Sequence, residues 1–181
     1  MNILPDVSET IIKTDRLTLR PWKLADLDDF YEYARVDGVG QPAGWSPHES
    51  REESLGILKK FIEEKTVLAI EYGGKVIGSL GFHGYSEAEL PQLASLKAVE
   101  IGFALSKNFW GMGLMPEALA AVIGHLFDSL GYEALVCGYY EGNVLSQRVQ
   151  EKCGFSRIKR VSCTTKLGEI KEEWLSVIYR K

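Results

Sequence analysis

Two glycines, Gly111 and Gly113, stand where a chain of this composition could bind an anion. Before them runs V-E-I-G-F-A-L (Val99–Leu105), an apolar stretch with a single charge at Glu100. After them Met115, Leu119, Val122, Leu126 and Leu130 recur at helical spacing. A strand that enters a helix through glycines exposes the first helical N–H groups, which lack internal partners, and the helix dipole favours a negative charge there. Glycine also lets the backbone approach a ligand that a side chain would hold off. The same pattern serves as a tight strand-to-helix turn, so two readings stand at this point: a phosphate cradle or a connection.

The elements that must position this stretch follow from the rest of the chain. At 181 residues, 45% of them hydrophobic and 25% charged, the chain suits one globular domain with a real core. The net charge of −4 and the scattered basic residues argue against nucleic acid as a partner. The acidic excess either suits a cationic substrate or serves solubility. Cys137, Cys153 and Cys163 are odd in number and lack C-x-x-C spacing, which suggests neither a disulfide framework nor a metal site. With no leader-like N-terminus and no run of about 18 apolar residues, the expectation is a cytoplasmic protein without a membrane partner.

In chain order, Thr14–Arg20 alternates as a strand with one wet face, and Pro21 ends it. Trp22–Arg35 carries Leu24, Leu27, Phe30, Tyr31 and Ala34 at helical spacing. A glycine-rich loop follows, and its Trp45 either lines a substrate mouth or covers the edge of the core. Ser46 to Glu49, S-P-H-E, reads as a capping box that opens a second helix running to about Lys65. Thr66–Tyr72 and Val76–Tyr85 are strands joined at Gly73 and Gly74, and the strand holding Glu100 begins near Lys97. Beyond the long helix come a strand at Ala134–Tyr140 and a helix from Val144 to Lys152. Two final strands between Phe155 and Arg180 turn at Lys166–Glu169.

This order predicts a single α+β domain over residues 1–181: a mixed, mostly antiparallel sheet of about seven strands with helices on both faces. Ligands bind such sheets where strand C-termini diverge, which places Leu105 and Tyr139 at the site.

Two segments then combine. N-F-W-G-M-G-L-M-P-E-A at Asn108–Ala118 is followed about thirty residues later by N-V-L-S-Q-R-V-Q-E-K-C-G-F at Asn143–Phe155. Together with T-D-R-L-T-L-R and E-I-G-F-A-L, they resemble the GNAT superfamily of acyl-CoA-dependent N-acyltransferases, most of all its ribosomal-protein-alanine (Rim-type) branch. The resemblance implies a sheet splayed between its fourth and fifth strands, with acetyl-CoA in the gap. It implies that Trp110, Gly111, Met112, Gly113, Leu114 and Met115 hold the pyrophosphate, that the pantetheine arm lies along Phe103, Ala104 and Leu105, and that Asn143 meets it from the other wall. The chain departs from the family pattern in two places. Asn108 stands where Gln or Arg is frequent, and Gln150 stands where many relatives carry a tyrosine.

Acetyl transfer to a primary amine, whether of a protein N-terminus or a small molecule, needs a base, an oxyanion site and a hydrogen for the leaving sulfur. Glu100 is the leading base, its pKa raised by burial; its alternative is a structural carboxylate paired with a basic neighbour. His83 and then Glu141 follow it. Backbone N–H groups near Phe103 or Ala104 suit the oxyanion. Ser146 resembles the serine offered to the leaving sulfur in the Rim-type branch and is equally suited to helix capping; Tyr139 and Tyr140 stand behind it. A non-catalytic acyl-CoA-binding module is the rival reading, and a dinucleotide-binding oxidoreductase is disfavoured because its cradle follows the first strand. The acceptor pocket falls to the Gly38–Trp45 loop, the second helix and the last hairpin, in a monomer or homodimer.

Overall fold

Thr14 N–H donates to the Leu17 carbonyl at 2.9 Å, and this tight turn creates a strand the sequence pattern does not announce. In the computed structural model, which describes residues 1–165 and 168–181, β1 (Ile12–Lys13) and β2 (Leu17–Pro21) pair across that turn. The alternating stretch expected from Thr14 therefore yields a strand only from Leu17, and the sheet has eight strands where about seven were expected. After a 3₁₀ turn come α1 (Leu27–Ala34), α2 (Arg51–Glu64), β3 (Val67–Tyr72), β4 (Lys75–His83) and β5 (Ala98–Leu105). Then follow α3 (Leu114–Gly124), β6 (Ala134–Tyr140), α4 (Val144–Lys152), β7 (Ser156–Thr164) and β8 (Ile170–Tyr179). The sheet order is β1-β2-β3-β4-β5-β6-β8-β7. Every neighbouring pair is antiparallel except β5 and β6, as a strand–helix–strand step requires. The turn expected at Lys166–Glu169 includes Lys166 and Leu167, which lie outside the described residues.

Alternation along the strands separates two faces. Val99, Ile101 and Leu135 turn to the face covered by α3, where they pack with Leu119, Val122 and Leu126. Ala98, Ala134 and Val136 turn to the other face, under Tyr85, Leu90 and Leu93 of the β4–β5 connection. At the β3–β4 end of this second face, α1 and α2 pack through Phe30 and Leu58. A half-buried Arg20 ties β2 to β3 and to the 3₁₀ turn before α1: its guanidinium grips Asp26 with two nitrogens at 2.9 Å and Glu71 at 2.7 Å. Among the described residues no helix is long and apolar enough to cross a membrane.

Two helices differ from the sequence expectation for local reasons. The first begins later, because Trp22 and Lys23 stay extended and the Asp26 carboxylate accepts from the Lys23 N–H at 2.8 Å. The second is capped four residues downstream of Ser46, the first residue of S-P-H-E. His48 N–H donates to the Ala34 carbonyl at 3.0 Å and its buried ring meets Ser54 Oγ at 2.7 Å, which straps Ser46–His48 to α1 in place of a helix. Ser50 becomes the cap, its Oγ accepting from Glu53 N–H at 3.1 Å while Glu53 accepts from Glu49 N–H at 2.7 Å. Ser50→Ala accordingly lowers stability by about 1 kcal/mol in urea unfolding. Ser46→Ala, at an exposed position with no capping bond, leaves the midpoint unchanged.

Candidate active site

β5 and β6 are paired only from Ala98–Glu100 to Ala134–Val136. Beyond that register the strands part, and a cleft of about 490 Å³ opens between Ile101–Leu105 and Cys137–Tyr140. A parted ladder strands backbone carbonyls that need donors. The Cys137 thiol donates to the Ile101 carbonyl at 3.1 Å, the Trp110 indole to Leu105 at 2.8 Å, and the Gln150 amide to Gly138 at 3.1 Å. Tyr140 is served by the Asn143 N–H at 2.9 Å. Since the carbonyls of Ile101 and Leu105 both face the gap, strand alternation turns the N–H and C=O of Phe103 the same way. Ala104 points its carbonyl at β4, close over Gly78. Among the gap-facing groups of β5, Phe103 alone has its carbonyl left for a ligand.

At one end of the cleft lies the start of α3. Gly111 and Gly113 have φ of +79° and +75°, values that a side chain resists. Gly113 is the cap of α3 and no side chain bonds the N–H groups of its first turn, so those of Leu114 and Met115 remain available. The loop is braced from behind. Arg16 donates from Nη1 to the Met112 carbonyl at 2.9 Å and from Nε to Glu117 at 2.7 Å, and Thr14 Oγ1 donates to the same carboxylate at 2.6 Å. The sequence marked T-D-R only as a motif; in the fold Thr14 and Arg16 hold the acid of the first turn of α3.

At the other end three polar side chains share one face of the sheet. His83 sits opposite Glu100 in the β4–β5 register and its ring lies across Gly81 and Gly102, close to where their Cβ atoms would be. From β8, Glu173 reaches over Gly138, where a Cβ would collide with its carboxylate. Burial pushes the Glu100 carboxyl up to about 7, and the charge of Glu173 adds to the shift. Glu173 is itself raised by burial, partly offset by a hydrogen bond with Cys163. Among the described residues neither carboxylate has an ion-pair partner.

A helix-start anion site, an open strand edge and a carboxyl that titrates near neutrality in one cleft match a known pattern. A family model described as an acetyltransferase (GNAT) domain matches residues 16–156. The chain belongs to the GNAT acetyltransferase family. It is 24% identical over 148 residues to the uncharacterized N-acetyltransferase YnaD of Bacillus subtilis (strain 168), covering 81% of this chain and 82% of that one. Among solved structures, a GNAT-family acetyltransferase from Bacillus anthracis superposes with a TM-score of 0.82 at 21% identity, covering 94% of this chain and 98% of its own. The microcin C7 self-immunity acetyltransferase MccE, solved with acetyl-CoA and AMP, gives 0.79 at 20%, with 97% and 99% covered. RimL, the ribosomal L7/L12 alpha-N-protein acetyltransferase, gives 0.77 at 17%, with 94% of each chain covered.

Within this GNAT fold, the cleft gathers most of the residues singled out from the sequence: His83, Glu100, Phe103, Ala104, Leu105, Trp110, Gly111, Gly113, Leu114, Met115, Tyr139, Tyr140, Asn143 and Ser146 all line it. Asn143 caps α4, its Oδ1 accepting from the Ser146 N–H at 3.1 Å. Ser146 Oγ receives the Gln150 amide at 3.3 Å. Asn108 and Met112 lie off the lining. So does Trp45, which packs on His48 at 5.3 Å beside the α1–α2 core. Glu141 faces outward and pairs with Arg160 at 3.1 Å. Sequence reasoning missed Glu173 and Arg148 on the cleft wall; the readable signal for Glu173 was Gly138, a glycine inside an otherwise bulky strand.

A carboxyl at about 7 in the fold and 4.5 when unfolded keeps its proton longer in the folded state. Stability therefore falls as pH rises through that window. Glu100→Gln removes this contribution, so urea unfolding of the variant shows a flatter pH dependence between 4.5 and 7 than the parent.

Proposed function

We propose that this GNAT protein transfers the acetyl group of acetyl-CoA to a primary amine, of a protein N-terminus or a small molecule, by direct attack in a ternary complex. The observation that carries this reading is the fork between β5 and β6, whose stranded carbonyls are met by side chains and turns except at Phe103. An extended thioester arm laid in the gap completes the ladder at that residue. The N–H groups of Leu114 and Met115 and the loop at Gly111–Gly113 take the pyrophosphate, with Arg148 and Lys152 on the α4 wall adding positive charge. MccE, solved with acetyl-CoA and AMP, has the same fold and supports acetyl-CoA as the donor.

The acceptor enters over the opposite face, where Glu173 draws its ammonium and Glu100 accepts a proton from it, directly or through one water. The freed nitrogen attacks the thioester carbon, forming C–N. The Phe103 N–H faces the oxygen that gains charge. When C–S breaks, its electron pair passes to sulfur beside Ser146. His83, alongside Glu100, is the second candidate for the base.

Positioning the two reactants contributes roughly 7–11 kcal/mol. A general base is worth about 10²–10⁴-fold, less than the positioning it works with. Glu100→Gln therefore slows the enzyme by about 10²–10⁴-fold in kcat and leaves acetyl-CoA affinity unchanged, and it removes the rise of rate with pH near neutrality. An assay of CoA release over small amines and N-terminal peptides checks both points. Acetyl-CoA binding with no amine-dependent release would show a non-catalytic binding module, and an unchanged pH profile in Glu100→Gln would remove Glu100 from the mechanism.

A further inference from the structure

Gln150 lies on α4 one helical turn beyond Ser146 and is 1% exposed. Its Nε2 touches two oxygens, the Gly138 carbonyl at 3.1 Å and Ser146 Oγ at 3.3 Å. A carbonyl only accepts, so Gly138 dictates which end of the amide is nitrogen. The two amide hydrogens are then both committed, one of them to the serine oxygen. A hydroxyl that accepts from Gln150 has its own hydrogen left to give. Ser146 lines the cleft, and among the described residues nothing takes that hydrogen.

The far end of the same amide supports a role beyond packing. Gln150 Oε1 is buried with no partner among the described residues, an arrangement that stability alone disfavours. Completing the backbone at Gly138 requires one N–H; the second, to Ser146, adds nothing to the sheet.

We propose that Gln150 is a positioning residue that holds Ser146 Oγ as an acceptor and so directs the serine hydrogen into the cleft, onto the sulfur of the acyl donor. This rests on the reading of the cleft as an acetyl-CoA site with Ser146 beside the thioester. As the C–S bond breaks and its electron pair moves to sulfur, the hydroxyl stabilises the thiolate by a hydrogen bond and remains a hydroxyl. As the adduct collapses the nitrogen gives its second proton to water, the thiolate takes a proton from water, and the proton collected by Glu100 from the amine returns to water. Gln150 thus assists a departing group that it does not itself touch.

A double-mutant cycle tests this. Ser146→Ala and Gln150→Met each lower kcat by about ten- to a hundredfold, the worth of a hydrogen bond to a charged atom, with acetyl-CoA affinity by calorimetry unchanged. Gln150→Met has no further effect once Ser146→Ala is present. Gln150→Glu, equal in length but an acceptor, turns the hydroxyl away from sulfur and slows the enzyme as Ser146→Ala does; thermal melting verifies that each variant is folded. Equal losses from Gln150→Met with and without Ser146 would make its role structural and overturn the proposal, as would a wild-type kcat in Gln150→Glu. A wild-type kcat in Ser146→Ala, with Glu100→Gln still slow, would remove the serine, and the proposal with it, while leaving the transferase reading intact. Failure of the parent enzyme to release CoA would overturn both.

Discussion

A backbone carbonyl inside a sheet must find a donor, and the whole site is arranged around the place where β5 stops supplying donors to β6. A fork in a sheet interior would ordinarily close, since the ladder satisfies both edges at once. Here it is kept open by side chains recruited from three elements: Cys137 from β6 itself, Trp110 from the loop before α3, and Gln150 from α4. Each takes one stranded carbonyl. Burial pushes the Cys137 thiol far up, so it stays a neutral donor at the apex of the fork. The cleft is therefore a prepared surface with a particular vacancy in its hydrogen bonding, and not a frayed edge.

The second organising feature is the line of glycines, Gly81, Gly102 and Gly138, across the face opposite α3. Missing side chains there let His83 and Glu173 lie flat against the backbone from two sides, with Glu100 between them. Burial raises both carboxyls, and the charge of Glu173 adds to the rise at Glu100. The apolar clusters on either side, around Phe30 and around Leu93, leave this strip as the polar part of the face. The sheet divides its two faces: its α3 side carries the larger apolar core, its other side the strip of His83, Glu100 and Glu173.

Much of this was legible in the residues. Hydrophobic periodicity located nearly every strand and helix, and G-x-G before an amphipathic helix marked the turn whose glycines take positive φ at the start of α3. Glu100 stood out as one charge in an apolar strand. Readings failed where a local rule lost to a tertiary contact: S-P-H-E has the chemistry of a cap, but a bond from His48 to α1 moved the helix start to Ser50. The long helix ends in a π-helical turn at His125–Ser129 that no spacing of apolar residues reveals. Glu173 was invisible as a wall, because β8 meets the cleft only once it inserts between β6 and β7. Trp45 illustrates the limit from the other side, since a large aromatic in a glycine loop gives no hint of which surface it will cover.

The brace behind the anion site has a consequence for how such a protein comes to exist on the ribosome. Arg16 and Met112 are 96 residues apart in sequence, yet their contact sets the shape of the loop at Gly111–Gly113. By the time that loop is synthesised, the arm that shapes it has already emerged, with β2 free to dock on the β3–β4 hairpin. The start of α3 thus forms against chain that has already been made, and the order of synthesis coincides with the order in which these parts depend on one another.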